Sequence, residues 1–452
     1  MEGFTSVNNT VVLIDSYTEE SRKLHHSLKQ AGFEYPVYSL EEDGYLPEGV
    51  TSVYGYFMGD YKTQKDSLQR PRYFNEISVP DYWEISCNGS NGFVHDLQRE
   101  RAKSFFAEPR NKRFIKIVDW YDEQHIVRFS DHYNQYGALF ARTTFNAKGQ
   151  KVNKTYFAVD GTVAIEENYV VGTIIVTEGE KVTVFGDKGR FLAYFAEKTA
   201  LKDKRIIYNT LATPFLISQS LCNGKKEDIL FWQEPVRPDI PGNMTYILNG
   251  SATRTGVIYV QNRAAYEKLI SLGANPSIVK CLGFLYPFER EPSFAAEALI
   301  CTNSDQIEHL SEVVHALPKV KFHIAAITEM SSKLMEFDRE PNVSLYPNVK
   351  TQTLNRLYQK CSLYFDINHQ SEMTTSVYRA FLNNQLLFAF EETAHRKDYV
   401  LKSQIYPAAG WNAMTEAVTK VMEDRSLWEK AIIAQREFAL TETAEAYTRE
   451  LN

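Results

Sequence analysis

Several polar and aromatic residues stand directly after apolar runs, where parallel strands present side chains to a ligand. Trp232, Gln233 and Glu234 close the run 229–232, and Asn243 follows the turn Pro241-Gly242. Thr328 and Glu329 follow the run 322–327, and Asn368 and His369 follow 363–367. Amides and carboxylates hydrogen-bond hydroxyl groups, and an indole stacks on the apolar face of a pyranose, so as a set these residues suit a hydroxyl-bearing ligand such as a sugar. Taken one at a time, each reads more readily as a loop residue bonded to its backbone neighbours.

Other chemistries find less support. His25-His26 lie early on a helix with no third ligand at a metal-binding spacing, so they read as a solvated pair. Ser251 and Ser376 lack the context of a nucleophile elbow. No glycine-rich loop joins a strand to a helix in the pattern that cradles phosphate. Cys87, Cys222, Cys281, Cys301 and Cys361 are odd in number with no CxxC pair, which suits a reducing compartment rather than a disulfide or metal framework. No metal site is expected.

The elements that must position these residues alternate strand and helix. The run 11–14 ends at Asp15, and Ser16 with Glu19 makes a capping box for a helix that carries Leu24, Leu28 and Ala31 on one face. A strand over 35–40 follows. From 75 to 190 the pattern changes to short strands, with turns ending at Gly137, Gly149 and Gly161, the even spacing of a meander. The composition's 13% aromatic content is largely explained there, because aromatic side chains suit pleated, half-buried surfaces. The α/β rhythm resumes at 206–208, 229–232, 257–260 and 279–285. After a polar linker at 290–293, a second series runs through 299–301, 322–327, 343–346, 363–367 and 386–390, with Leu354, Leu357 and Tyr358 on an intervening helix. Helices over 414–422 and 428–438 close the chain.

The expected organisation is a first Rossmann-like domain in two parts (1–74 and 191–290), a β-rich insertion (75–190), and a second Rossmann-like domain with C-terminal helices (291–452). Two facing Rossmann-like domains, the first split by a β-meander, form an α/β fold like that of B-type glycosyltransferases. A net charge of -7 argues against a nucleic-acid-coating surface. The longest apolar runs fall short of the ~20 residues of a membrane span. A soluble, cytoplasmic protein is expected, with any membrane association peripheral.

Residues 99–116 hold a local basic run of Arg99, Arg101, Lys103, Arg110, Lys112, Arg113 and Lys116 against Glu100 and Glu108, interleaved with Phe105, Phe106 and Phe114. It reads either as a patch for a partner or the cytoplasmic membrane face, or as a solvated helix leading into a strand.

The stretch 228–236 (DILFWQEPV), followed by 241–244 (PGNM), resembles the glycosyltransferase-stabilising family GtfB. So do 117–120 (IVDW), 303–308 (NSDQIE), 325–331 (AAITEMS) and 364–369 (YFDINH). These segments extend from the insertion to the C-terminal domain. The resemblance implies a non-catalytic subunit of the transferase that attaches N-acetylglucosamine to serine-rich repeat adhesins of Gram-positive bacteria. A homologous catalytic subunit, joined in a hetero-oligomer with two copies of each, would use UDP-N-acetylglucosamine to modify Ser or Thr. The present chain would need no cofactor; it would stabilise its partner and hold the acceptor in its own cleft. The modified adhesin would then leave through the accessory Sec system.

Departures from an active nucleotide-sugar site agree with that role. Such a site needs cations for the diphosphate and a carboxylate for ribose hydroxyls. Residues 291–318 contain no Lys or Arg, and Asp305 and Glu308 there would repel phosphate. Where a pair of glutamates is expected, Glu372 is followed seven positions later by Arg379, whose guanidinium accepts no hydrogen bond. The 325–330 loop also lacks the glycines that let a backbone approach phosphate. The alternatives are a retaining glycosyltransferase active by itself and a free-standing carbohydrate-binding module.

Overall fold

The structure, a computed structural model, describes residues 9–221 and 225–452; Cys222 lies outside the described residues. The chain forms two compact units. One holds residues up to His25 together with Phe33–Cys281, and the other holds His26–Gly32 and Leu282–Asn452.

The first unit contains a seven-stranded parallel sheet. Before the insertion come β1 (Thr10–Ile14), α1 (Glu19–Gln30), β2 (Val37–Ser39), β3 (Val50–Ser52) and α2 (Val53–Met58). The insertion itself supplies β4 (Glu84–Cys87), β5 (Asn91–Asp96), β6 (Arg99–Phe106), β7 (Ile115–Tyr121), β8 (Val127–Tyr133), β9 (Leu139–Phe145), β10 (Lys151–Phe157), β11 (Val163–Asn168), β12 (Thr173–Glu178) and β13 (Lys181–Phe185). After it follow α3 (Lys188–Lys198), β14 (Arg205–Tyr208), α4 (Thr213–Ser220), β15 (Asp228–Trp232), α5 (Gly242–Leu248), β16 (Thr255–Val260), α6 (Arg263–Ser271) and β17 (Val279–Cys281). The parallel sheet has the order β17-β16-β15-β14-β1-β2-β3. β1 and β15 are buried along their whole length, which is why both read as unbroken apolar runs: helices cover both faces of such a sheet.

β4 to β13 form one antiparallel sheet in strict chain order, the expected meander. Gly137, Gly149 and Gly161 have φ of +82°, +73° and +85°, the left-handed region that favours glycine. The turns also use side-chain acceptors. Asn134 Oδ1 accepts from the Tyr136 and Ala138 N–H groups, and Asn146 Oδ1 accepts from those of Lys148 and Gln150. Much of the aromatic content packs where the meander meets α2 and α3: Tyr54 stacks on Tyr156 at 4.5 Å and lies 5.6 Å from Phe191.

In the second unit, β18 (Glu297–Thr302), α7 (Leu310–Ala316), β19 (Lys321–Ala326), α8 (Ser332–Met335), β20 (Val343–Tyr346), α9 (Thr351–Lys360), β21 (Leu363–Asp366), α10 (Ser376–Leu382), β22 (Leu386–Phe390), β23 (Ile405–Tyr406), α11 (Trp411–Glu423), α12 (Arg425–Phe438) and α13 (Ala444–Leu451) follow in order. The six-stranded sheet is parallel, with the order β20-β19-β18-β21-β22-β23. The short strands β3 and β23 gave no sequence signal, being too brief for periodicity to register. The polar segment at 290–293 holds a structural anchor. The half-buried Arg290 guanidinium donates to the carbonyls of Asn383 (2.6 Å), Gln359 (2.7 Å) and Cys361. The two compact units divide ahead of it, at Leu282.

Candidate functional site

β15 delivers Trp232 to the carboxyl end of the first unit's parallel sheet, and the following loop returns over it. The Trp232 indole N–H donates to Glu234 Oε2 at 2.9 Å, and the same oxygen accepts from the Leu211 N–H at 2.7 Å. Asn243, in the first turn of α5, donates through Nδ2 to the Leu211 carbonyl at 2.8 Å. With Ala212, Arg237 and Gly242 these residues line a recess of about 300 Å³. Glu234 Oε1 and Asn243 Oδ1 have no partner among the described residues, so they remain available as acceptors for hydroxyl groups. Arg237 adds a cation beside the acceptors; sequence reasoning missed it because it lies in an irregular loop with no periodicity to flag it.

Two expectations at this edge are corrected. Trp232 is only 3% exposed, so its indole floors the recess and cannot offer a face to a pyranose. Gln233, the next residue along the chain, joins a different network: it donates to Gln261 Oε1 (2.9 Å) and the Glu20 carbonyl (3.1 Å), and accepts from the Ser21 hydroxyl (3.1 Å). Asn209 completes that network by bonding Ser21 Oγ and the Asp15 N–H. Burial holds the Asp15 carboxyl above its ordinary range, against the opposing pull of Lys188.

In the second unit Thr328 and Glu329 line a smaller recess of about 180 Å³ with Ser304, Asp305 and Ser331. Asp305 Oδ2 accepts from the Ser331 hydroxyl at 3.0 Å, and that hydroxyl oxygen in turn caps α8 by accepting from the Leu334 N–H. Asn368 and His369 do not join this recess. Asn368 is buried, donates to the Gln370 carbonyl and bridges to Ile307, which makes it a structural residue. The His369 imidazole binds the Glu308 carboxylate, which also has His309 Nε2 at 3.3 Å.

The pair at seven-residue spacing is occupied internally. Glu372 accepts from the Val377 N–H at 2.9 Å, capping the start of α10, and from Arg396 Nε at 2.6 Å. Arg379 donates to Asn355 Oδ1 at 2.7 Å, and its guanidinium carbon stands 4.3 Å from the centroid of the Tyr358 ring. Both side chains therefore tie α10 to its surroundings. Nearby, Asp366 accepts from His395 Nδ1 at 2.6 Å, and this bond raises the imidazole pKa above its ordinary value despite partial burial.

The basic run at 99–116 is strand and turn rather than a helix: β6, a short 3-10 turn at Arg110–Lys112, then β7. Its cations are largely matched. Arg101 pairs with Asp96 at 2.8 Å and lies over Trp83, Arg99 lies 3.9 Å from Glu123, Arg110 pairs with Glu108 at 2.9 Å, and Lys116 pairs with Asp43 at 2.7 Å. Lys103 sits over Phe105 and Arg113 over Phe74. Hairpin pairing places these charges along β6, the turn and the start of β7. No helix among the described residues is long and apolar enough to cross a membrane.

Among the described residues, one group has metal-ligand chemistry: Glu297, His323 and Cys361 bring ligand atoms within 4.8 Å of one another. Glu297 Oε2 already accepts from His323 Nε2 (2.8 Å) and Lys360 Nζ (2.6 Å). An ammonium on that oxygen fits an internal ion pair better than a cation site.

Comparison with known proteins covers most of the chain. Residues 11–57 match the GtfB N-terminal domain, 83–186 the GtfB middle domain, 188–272 the GtfB third domain and 298–435 the GftB/GlyA-F C-terminal domain. The chain is 38% identical over 440 residues to a Streptococcus agalactiae protein named UDP-N-acetylglucosamine--peptide N-acetylglucosaminyltransferase stabilizing protein GtfB, covering 97% of this chain and 98% of that one. The chain belongs to the GtfB family. A relative of the same name from Limosilactobacillus reuteri is 32% identical over 97% of this chain and 98% of its own. Among solved structures, a chain of a GtfA/B complex bound to UDP and GlcNAc aligns with a TM-score of 0.91 at 36% identity, covering 98% of this chain and 99% of that one. The fold also extends to the pneumococcal O-GlcNAc transferase GtfA, at a TM-score of 0.56 and 11% identity over 98% of each chain. This GtfB-family chain therefore has the fold class of B-type glycosyltransferases.

Proposed function

We propose that this chain is the non-catalytic, stabilising and acceptor-holding subunit of a UDP-N-acetylglucosamine:peptide O-N-acetylglucosaminyltransferase. Its near end-to-end relatedness to proteins named for stabilising that transferase carries the reading. The pseudoenzyme part is supported by Glu372 and Arg379. One carboxylate is committed to a helix cap and Arg396, and a guanidinium stands where ribose hydroxyls would need an acceptor. In this reading the chain takes no cofactor, and UDP-N-acetylglucosamine is used by the homologous catalytic partner. Glu234, Asn243 and Arg237 in the first unit, with Thr328 and Glu329 in the second, are the groups offered to a Ser/Thr-rich acceptor. Holding the acceptor raises the local concentration of its remaining serines and so favours multi-site modification. The acceptor class is a serine-rich repeat adhesin, modified at the cytoplasmic side before accessory Sec export.

The test compares donor hydrolysis and peptide glycosylation by this chain alone, the partner alone and the mixture. Transfer is expected from the mixture, weak or no transfer from the partner alone, and none from this chain. Robust transfer by this chain alone overturns the pseudoenzyme reading, and no gain on mixing overturns the subunit reading.

A further inference from the structure

The loops that follow β18 and β21, at the carboxyl end of the second unit's sheet, are laced together. The Glu308 N–H donates to the Ile367 carbonyl (2.8 Å), the His369 N–H to that of Gln306 (3.0 Å), and Asn303 Nδ2 to that of Ser371 (3.3 Å). A third segment, 393–396 after β22, fastens the second of these loops. The Thr393 hydroxyl donates to the Asp366 carbonyl (2.9 Å), and Arg396 Nε donates to Glu372 Oε2 (2.6 Å). His395 stands between these two ties. Its backbone N–H donates to Asp366 Oδ2 (2.7 Å), its Nδ1 lies 2.6 Å from Asp366 Oδ1, and its Nε2 contacts the Gln370 carbonyl oxygen.

Both ring nitrogens thus face groups that only accept. A neutral imidazole carries one N–H and cannot serve both, whereas the imidazolium donates at each. The surroundings favour the charged form. The bond to Asp366 holds the imidazole pKa above its ordinary 6.5 against the opposing effect of partial burial, and the Asp366 charge, the Gln370 carbonyl and the Glu372 charge add to the rise. The neighbouring cations point elsewhere: Arg396 pairs with Glu372, and Lys397 donates to the Glu391 carbonyl. Across the loop, Glu308 is held by His369 and His309. Asp366 is only 1% exposed and the His395 side chain 15%, so the pair is shielded from water.

The fastened loop is also under backbone strain. Thr374 and Thr375, which join it to α10, have φ of +46° and +56°, a region that β-branched residues avoid. Such a conformation persists only where surrounding bonds enforce it.

We propose that His395 is a pH-sensitive clamp: its imidazolium holds the strained 367–375 loop shut against Asp366 and the 303–308 loop, and loss of one proton releases it. On deprotonation the remaining proton stays on Nδ1 against the buried carboxylate, and the bare Nε2 lone pair then opposes the Gln370 carbonyl. Closure is complete below pH 6.5 and is lost as pH rises through the raised pKa of the clamp. Opening parts the two loops at the strand ends, where open parallel sheets meet ligands. The clamp belongs to the second unit alone and stands independently of the acceptor-holding function proposed above.

The test is amide hydrogen exchange of the intact chain, read by mass spectrometry between about pH 6 and 9 and corrected for the intrinsic pH dependence of exchange. Protection of residues 367–375 should fall by about five- to tenfold across that range while that of β19 stays constant. His395→Gln should remove the pH dependence and leave the loop at its low, alkaline level of protection throughout. His369→Gln deletes the other imidazole on this loop and should leave the fall intact. The histidine Cε1–H signals of the unaltered chain, followed by NMR, provide a readout that no variant's folding affects: one imidazole should titrate with a midpoint above 6.5 that coincides with the loss of protection. Constant protection of 367–375 in the unaltered chain overturns the inference, as does a fall that persists in His395→Gln or disappears in His369→Gln. The absence of any histidine midpoint matching the exchange profile overturns it too.

Discussion

Residues that sequence motifs single out by type divide here into those serving the fold and those left free to bind. Asp228 opens one of the GtfB-like segments, yet it is buried in an ion pair. It accepts from Arg254 Nε at 2.8 Å and also from the Ser218 hydroxyl and the Ile206 N–H, with both charged side chains 1% exposed. Removing one partner leaves the other charge buried and unpaired, so Arg254→Ala should cost about 3–5 kcal/mol of stability by chemical denaturation. Arg379→Glu recreates a paired-glutamate spacing, but residues 291–318 still lack Lys and Arg. No donor hydrolysis or sugar transfer is expected from this variant alone in a radiolabelled-donor assay, since developing diphosphate charge remains unstabilised.

At the scale of elements, the meander is the segment with the clearest conformational and pH signatures. Gly137 closes the β8–β9 turn with a positive φ, and a Cβ there would stand 2.7 Å from the Arg70 carbonyl oxygen. Gly137→Ala is therefore expected to destabilise by more than about 1 kcal/mol, read as a lowered melting temperature with faster amide exchange around residues 65–72. On β8, burial holds the His132 imidazole down to about 3, with Lys154, Lys151 and Lys116 adding to the effect. Its Nε2 lies 2.9 Å from Thr143 Oγ1 on the next strand. The folded state keeps this ring neutral while the unfolded chain protonates it below about 6.5, so its contribution is whole above that pH and declines as pH falls toward 3. His132→Gln should flatten the loss of melting temperature between pH 6.5 and 4. An unchanged acid slope would show that other groups govern that limb.

At the scale of the whole molecule, two units with parallel sheets carry a fold shared with the pneumococcal O-GlcNAc transferase GtfA. If the relationship is that of subunit and enzyme, co-expression should raise the soluble yield of the transferase several-fold and its melting temperature by several degrees, because a partner that binds only the folded state stabilises it by mass action. Equal yield and melting temperature with and without this chain would contradict the proposal. Both parallel sheets and the meander were legible in the sequence. Strands buried on both faces read as unbroken apolar runs, and turns with φ above zero select glycine at fixed intervals. The strand-end residues were legible only in part: Glu234, Asn243, Thr328 and Glu329 line recesses, whereas Trp232, Gln233, Asn368 and His369 are consumed by floor packing, a polar network, a bridge and an ion pair. The basic run illustrates the same limit, since counting charges along 99–116 could not reveal that Asp43, Asp96 and Glu123 would meet them. The amino-acid order by itself determined the strand types, the turns, the family kinship and the absence of Lys and Arg from residues 291–318, because these are local properties of spacing and composition. Only the tertiary structure decided which polar groups remain unpaired and where His395 fastens the loop 367–372. Those outcomes depend on partners tens to hundreds of positions away, whose approach no local pattern encodes.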